Sequence, residues 1–324
     1  MALLNIRYDF RCPDICPVPL EELYEAAIEQ VVWAEDLGFT SVTLSEHHGS
    51  DDGYLPSLVA MASAMAARTE RIHIMLAALI APMHDPLRIA EDLAVLDRIS
   101  KGRISVIVAG GYVPSEFAMF GHSSGERVAL TVEMVETLKA AWTGEPFEFR
   151  GRTVRVTPTP YQDPRPAIWL GGSGEKAARR AARIADWFMP TMPEFWDHYR
   201  EEVIRLGRPD PGPATTGGVG YLHITHDPDA TWAKVAPHAL HEMNAYGRWA
   251  AESGAATGYE PVDDADQLRA MGLHSLISPA EAIEMIQAMG EMEAVMFHPL
   301  MGGLDPEVAW DNLRTFETEV LPHL

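Results

Sequence analysis

One pattern restricts this chain more than any other: eight times, a short apolar run suited to a strand is followed by a stretch with apolar side chains at helical spacing. "LLNIRYD" precedes a helical stretch from Leu20 to Leu37 that stops at Gly38, a common helix terminator. "SVTLSE" precedes Leu55 to Arg68, "IHIMLAALIA" precedes Leu87 to Ile99, and "RISVIVAG" precedes Gly125 to Trp142. A hairpin is expected at "FEFRGRTVRV", and then "AIWLGG", "WFMPT", "GGVGYLHIT" and "EAVMFHP" each lead into a further helix. Strands separated by helices imply parallel, right-handed crossovers, and eight such units predict an α/β fold of the (β/α)8 TIM barrel type with insertions at the C-terminal face. The rival is an open doubly wound sheet, which normally carries a dinucleotide fingerprint after its first strand; "YDFRCPD" has none.

At 324 residues a barrel of this kind is expected as one domain spanning 1–324. Within it, the long polar segment "RWAAESGAATGYEPVDDADQLRAMGL" suggests a lid insertion at about 248–278, and "RPDPGPATTGG" a surface connection. With 25 basic against 47 acidic side chains the net charge is -22, so the field repels polyanions and excludes nucleic acid as a partner class. No segment holds the roughly 18 apolar residues that span a bilayer. Cys12 and Cys16 lack the second ligand pair of a zinc finger and read as free thiols in a reducing compartment, so a soluble, cytoplasmic protein is expected. "LPSLVAMASAMAAR" is apolar nearly all round, although a barrel helix needs one buried face; a homodimer burying the second face is the expectation.

Several stretches could carry chemistry. Gly171, Gly172 and Gly174 surround Ser173 where a strand meets a helix, which makes either a backbone seat for phosphate or an ordinary tight turn. Lys176, Arg179, Arg180 and Arg183 follow at helical spacing and read as a solvated basic face. Ala77 and Ala78 would let a flat ligand approach the third strand, and would equally suit barrel packing. His84 and Asp85 fit a helix-entry turn. For the adjacent His47 and His48 three readings compete: metal ligation, proton transfer by one imidazole at the barrel mouth, or satisfaction by neighbouring carboxylates such as Glu46. Neighbours on an extended chain point to opposite sides, which disfavours a metal shared by both, and no metal centre is expected. Met119, Trp187, Phe188, Met189 and Met192 suit either an apolar cavity or the core.

Taken together, "GFTSVTLSEHHG", "HDPLRIAEDLAVLDRISKGR", "GYVPSEFAMFG", "PAIWLGGSGEKAARRAARIAD" and "ISPAEAIEMIQ" resemble the bacterial luciferase-like family of flavin-dependent oxidoreductases. The resemblance covers most of the chain outside the expected lid. It implies that His47 is the active-site histidine beside the reactive edge of the flavin. It also implies that Ala77 and Ala78 are the pair joined by a cis peptide against the isoalloxazine ring. By the same likeness Gly172, Ser173 and Lys176, with Gly174 in the same turn, receive the flavin phosphate, and Gly110 and Tyr112 line its other side. Two positions depart from the luciferases: Gly110 replaces an arginine that pairs with phosphate, and Ala109 replaces a reactive cysteine.

The resemblance implies a monooxygenase that uses reduced FMN, delivered by a separate NAD(P)H:flavin reductase, to form a flavin hydroperoxide and oxidise a small organic substrate with oxygen. The family also includes enzymes using F420, whose tail carries several negative charges; the acidic chain favours FMN over F420. F420-dependent hydride transfer and a non-catalytic flavin-binding homologue are the alternatives. A metal-dependent barrel hydrolase is a more distant one.

Overall fold

The computed structural model describes residues 2–214, 218–255, 259–291 and 293–324. Parts of the expected surface connection and lid, at 215–217 and 256–258, lie outside the described residues.

Eight strands form one sheet in which every ladder is parallel. The strands are β1 (Leu3–Tyr8), β2 (Ser41–Leu44), β3 (His73–Ile80), β4 (Ile104–Ala109), β7 (Ala167–Gly172), β8 (Trp187–Pro190), β9 (Gly218–Val219) and β12 (Ala294–Phe297). The intervening β5 (Phe147–Phe149) and β6 (Arg152–Val154) form the expected antiparallel hairpin. The order β8-β7-β4-β3-β2-β1-β12-β9 follows the chain from the first strand to the sixth, and the last strand returns to lie beside the first. A doubly wound sheet would instead reverse its order at a switch point. This is therefore the curled α/β sheet of the barrel class.

The helices cover the outside of the sheet. α1 (Leu20–Asp36), α2 (Leu58–Arg68), α3 (Pro86–Ser100), α5 (Arg127–Ala141), α6 (Glu175–Ile184) and α7 (Phe195–Arg205) follow the first six strands in turn, with the short α4 (Pro114–Met119) ahead of α5. Local chemistry sets their ends. Asp85 caps α3 by accepting from the Leu87 and Arg88 amides, Pro86 occupies the first turn, and Lys101 closes the helix at φ 56°. In β4 the five residues from Ile104 to Val108 are all buried, as expected of a strand covered on both faces. β1 alternates instead, with Leu4, Ile6 and Tyr8 turned into the helix layer and Arg7 facing the other way.

The seventh unit departs from the expected single strand. β9 pairs with β12, but after Gly220 the chain leaves the main sheet as β10 (Leu222–Ile224), whose partner is β11 (Ser275–Ile277). Between them run α8 (Pro228–Ser253) and α9 (Ala265–Ala270); α10 (Pro279–Ala288) and α11 (Pro306–Thr315) flank β12. The described residues of the expected insertion thus include the end of α8, α9 and β11. Leu268 and Val262 are buried, and Tyr259 stacks on Tyr246 at 4.6 Å. No described helix is long and apolar enough to cross a membrane.

Candidate functional site

Because β2, β3, β4 and β7 are consecutive in the sheet, the loops leaving their C-terminal ends are neighbours at one rim. The rim carries His47 after β2, Ala77 and Ala78 within β3, Gly110 and Tyr112 after β4, and Gly172 to Lys176 after β7. Ala77 is in register with Ile107 and Trp169, so the glycine turn lies two strands across from the alanines and about three residues further along.

His47 is buried at 6% exposure, and its Nδ1 lies 2.8 Å from Glu116 Oε1. The same carboxylate oxygen accepts from the His48 backbone amide at 2.8 Å. Glu116 comes from α4, so one acid of that short helix holds both the ring and the backbone of the β2 loop. Around the other edges of the imidazole stand Trp249 at 4.3 Å, Tyr54 at 4.9 Å, Tyr112 at 5.7 Å and Tyr246 at 5.9 Å between ring centroids. Burial pushes the Tyr54, Tyr112 and Tyr246 hydroxyls well above their ordinary pKa, so all three stay protonated. Tyr54 Oη also bonds Ser45 Oγ at 2.6 Å and Tyr246 Oη at 2.8 Å.

Behind this aromatic wall lies a buried charge network. The Arg11 guanidinium, fully buried, sits 4.6 to 4.9 Å from the rings of Tyr54, Tyr246 and Trp249 and bonds Asp52. His241 Nε2 reaches the same Asp52 oxygen at 2.7 Å. Burial alone would raise the Asp52 carboxyl, but His241 and Arg11 hold it well below the usual range. A cavity of about 300 Å³ opens nearby, lined among others by Arg7, Tyr221, Glu242, His274 and His298. Of the residues read for either an apolar cavity or the core, Phe188 packs on Tyr199 in the helix layer, Trp187 stacks on Trp169 on the opposite face of β8, and Met119 is 64% exposed.

The Ala77–Ala78 peptide is cis, and the β3–β4 register shifts between Ala77 and Leu79, so a bulge lies at the alanine pair. At the end of β7, Gly174 takes φ 89° as the residue before α6. A Cβ at Gly172 would stand 2.8 Å from Ala177 Cβ, so the turn needs glycine there to pack on its helix. Ser173 Oγ bonds Thr191 Oγ1 at 2.8 Å, and Lys176 is exposed. The Ala177 and Ala178 amides donate to the Gly174 carbonyl, which leaves the Glu175 and Lys176 amides at the start of α6 without an acceptor in the helix.

Two arginines at this turn were not read from the sequence as site residues. A Cβ on Gly110 would meet the Arg127 side chain at 3.6 Å, so Arg127 of α5 occupies the flank left free by the missing side chain. Arg180 of α6 feels the Arg127 charge: burial lowers its pKa and the charge of Arg127 lowers it further. Its buried Nε has no hydrogen-bond partner among the described residues. By contrast Arg179 and Arg183, from the expected solvated face, pair with Glu201 and Glu202 on α7. Two arginines whose charges interact, an open helix start and a glycine cradle have the chemistry to receive a dianionic phosphate. The residues present therefore fit the phosphate end of a flavin mononucleotide.

An FMNH2-dependent dimethylsulfone monooxygenase of Pseudomonas putida is 29% identical over 253 residues, 72% of this chain and 68% of that protein. An F420-dependent glucose-6-phosphate dehydrogenase of Nakamurella multipartita is 33% identical over 208 residues, 58% of this chain and 61% of that one. An uncharacterised protein of Sinorhizobium fredii, 29% identical over 162 residues, is matched over 46% of its length, so the aligned stretch spans about half to two thirds of these relatives. Among solved structures, the oxygenating constituent of 3,6-diketocamphane monooxygenase from Pseudomonas putida, in complex with FMN, superposes with a TM-score of 0.75 at 18% identity over 99% of both chains. An F420-dependent secondary alcohol dehydrogenase gives 0.68 at 18% identity over 95% of this chain and 98% of that one. At such identities the superpositions speak for the fold alone. The family model described as luciferase-like monooxygenase matches residues 17–296, and the chain accordingly belongs to the luciferase-like monooxygenase family, whose members include FMNH2- and F420-dependent oxidoreductases.

Proposed function

We propose that this protein is an FMNH2-dependent monooxygenase acting on a small organic substrate with oxygen. The observation that carries the reading is the alignment along one rim of His47, the Ala77–Ala78 bulge and an anion seat of Gly172, Ser173, Gly174, Lys176, Arg127 and Arg180. Bound reduced flavin supplies the electron pair and the centre that reacts with oxygen. The chain's own residues do the rest. The alanine pair offers a flat surface to the ring system, with Gly110 and Tyr112 on the neighbouring loop. The α6 amides and the two arginines hold the phosphate, replacing the arginine that luciferases carry at the Gly110 position. Glu116 accepts from His47 Nδ1–H, which fixes the tautomer and leaves Nε2 as the nitrogen that takes or gives a proton. Trp249, Tyr112 and Tyr246 keep water from that nitrogen, and segment 248–278 moves as a lid to admit the cofactor.

A separate NAD(P)H:flavin reductase supplies the reduced cofactor in this reading. Free Cys12 and Cys16 fit a reducing, cytoplasmic setting. The apolar second face of α2 supports a homodimer. A second reading, F420-dependent hydride transfer, draws support from the Nakamurella multipartita relative. Reconstitution with each cofactor, monitored at an oxygen electrode, separates the two: FMN binding with oxygen uptake on supply of FMNH2 is expected, and tight F420 binding without oxygen uptake would replace the first reading by the second.

A further inference from the structure

In "EHH" the His47 ring turns to Glu116, whereas the Glu46 and His48 side chains meet each other. Glu46 Oε1 lies 2.8 Å from His48 Nε2 and 2.8 Å from Nε2 of His84, which arrives from the loop between β3 and α3. The three donor atoms fall within 4.8 Å of one another. Glu46 and His48 are buried at 2% and 8% exposure, while His84 is half-buried. The second carboxylate oxygen, Glu46 Oε2, is buried with no hydrogen-bond partner among the described residues. Two imidazoles therefore converge on one oxygen of a buried carboxylate whose other oxygen is unsatisfied.

The donor set discriminates among cations. Ca²⁺ and Mg²⁺ seek six or more oxygen ligands, whereas two imidazoles with one carboxylate suit zinc and its first-row neighbours. Tetrahedral ligands at about 2.0–2.1 Å from zinc lie roughly 3.3 Å from one another, so each imidazole needs to retreat from Glu46 by only about half an ångström. Both histidines sit on loops, where such a shift is easily made. We propose that Glu46, His48 and His84 form a binding site for a borderline divalent transition-metal ion, Zn²⁺ being the best fit, with a water completing the coordination. The ion clamps the β2 loop to the β3–α3 loop behind His47, and the site is independent of the flavin reading.

The test uses chelator-treated full-length protein titrated with Zn²⁺ by calorimetry near pH 7, with Co²⁺ as a spectroscopic probe. One ion per chain is expected, with the visible ligand-field band of four-coordinate Co²⁺. His84→Ala should weaken binding at least 100-fold, Glu46→Gln at least tenfold, and His47→Ala should leave it unchanged. Should His84→Ala fail to fold, His84→Gln, which keeps a donor toward Glu46, carries the same expectation. The chain has 13 histidines and 47 carboxylates, so binding that survives the His84 and Glu46 substitutions is adventitious and overturns the proposal. Absence of stoichiometric binding overturns it equally, leaving the three residues as a hydrogen-bonded support.

Discussion

Glu116 Oε1 stands 2.8 Å from both His47 Nδ1 and the His48 amide nitrogen, so one oxygen fixes the orientation of the candidate catalytic ring and the path of the loop that bears it. Glu116→Gln keeps the shape but can present either an oxygen or an NH2 group to two donors. Turnover should fall roughly 10- to 1,000-fold with flavin affinity little changed, and the pH profile of kcat should move with it, because the substitution alters the tautomer His47 prefers. His47→Ala should lower kcat at least as far. Steady-state kinetics across pH with flavin titration checks both; a Glu116→Gln enzyme with the wild-type pH profile would remove the positioning role.

The Arg127–Arg180 pair makes a prediction about the cofactor's tail. Two neighbouring cations, one with an unpartnered buried Nε, are relieved by an anion placed between them. Arg180→Ala and Arg127→Ala should each weaken FMN binding about 10- to 100-fold by fluorescence titration. Riboflavin, which has the ring but no phosphate, should bind the variants and the wild type alike. Equal losses for both ligands would mean that the arginines support the fold of the rim instead.

That pair also shows where the sequence was readable and where it was not. The strand and helix alternation reports its own periodicity, and strand order follows from the handedness of the crossovers, so the rim and the loops on it were legible. Arg180 was not, because at helical spacing it lies beside Arg179 and Arg183; only packing reveals that a rotation of about 100° per residue turns it to Arg127 while its neighbours meet Glu201 and Glu202. Glu116 was hidden for a related reason. Nothing near "PSEFAM" marks it as the partner of a residue 69 positions away. In the Arg248 to Leu273 segment composition conveyed polarity but not contacts: Trp249 packs on His47, and Val262 and Leu268 are buried.

The helix layer yields a prediction about assembly. Beside α2, whose outward positions include Ala60 and Ala67, the packed helix α3 exposes Val95 and Ile99, 45% and 42% accessible and four residues apart on one face. Light scattering should find a dimer at micromolar concentration, and Val95→Glu with Ile99→Glu should give a folded monomer, since both residues are solvent-facing within one chain. A wild-type monomer would show that this apolar strip is simply tolerated surface.

Stability should fall on mild acidification, in a window set by buried histidines. His223 on β10 is 2% exposed, and burial brings its pKa down to about 4, against about 6.5 in an unfolded chain. Between those values the unfolded state binds the proton and the folded state does not, so ΔG of unfolding rises with pH. The stabilisation is complete above pH 6.5 and is lost as pH falls toward 4. From pH 7.5 to 5.0 the share due to His223 is on the order of 2 kcal/mol. Burial lowers His73, His238 and His274 in the same direction. The carboxylates Asp9, Glu46 and Asp52, all held below their ordinary values, stay ionised across this window and add nothing to the slope until lower pH. Urea unfolding of wild type and His223→Leu at pH 7.5 and 5.0 isolates the effect: the variant should lose less stability on acidification, while an identical loss would mean that the His223 proton is not what the fold excludes.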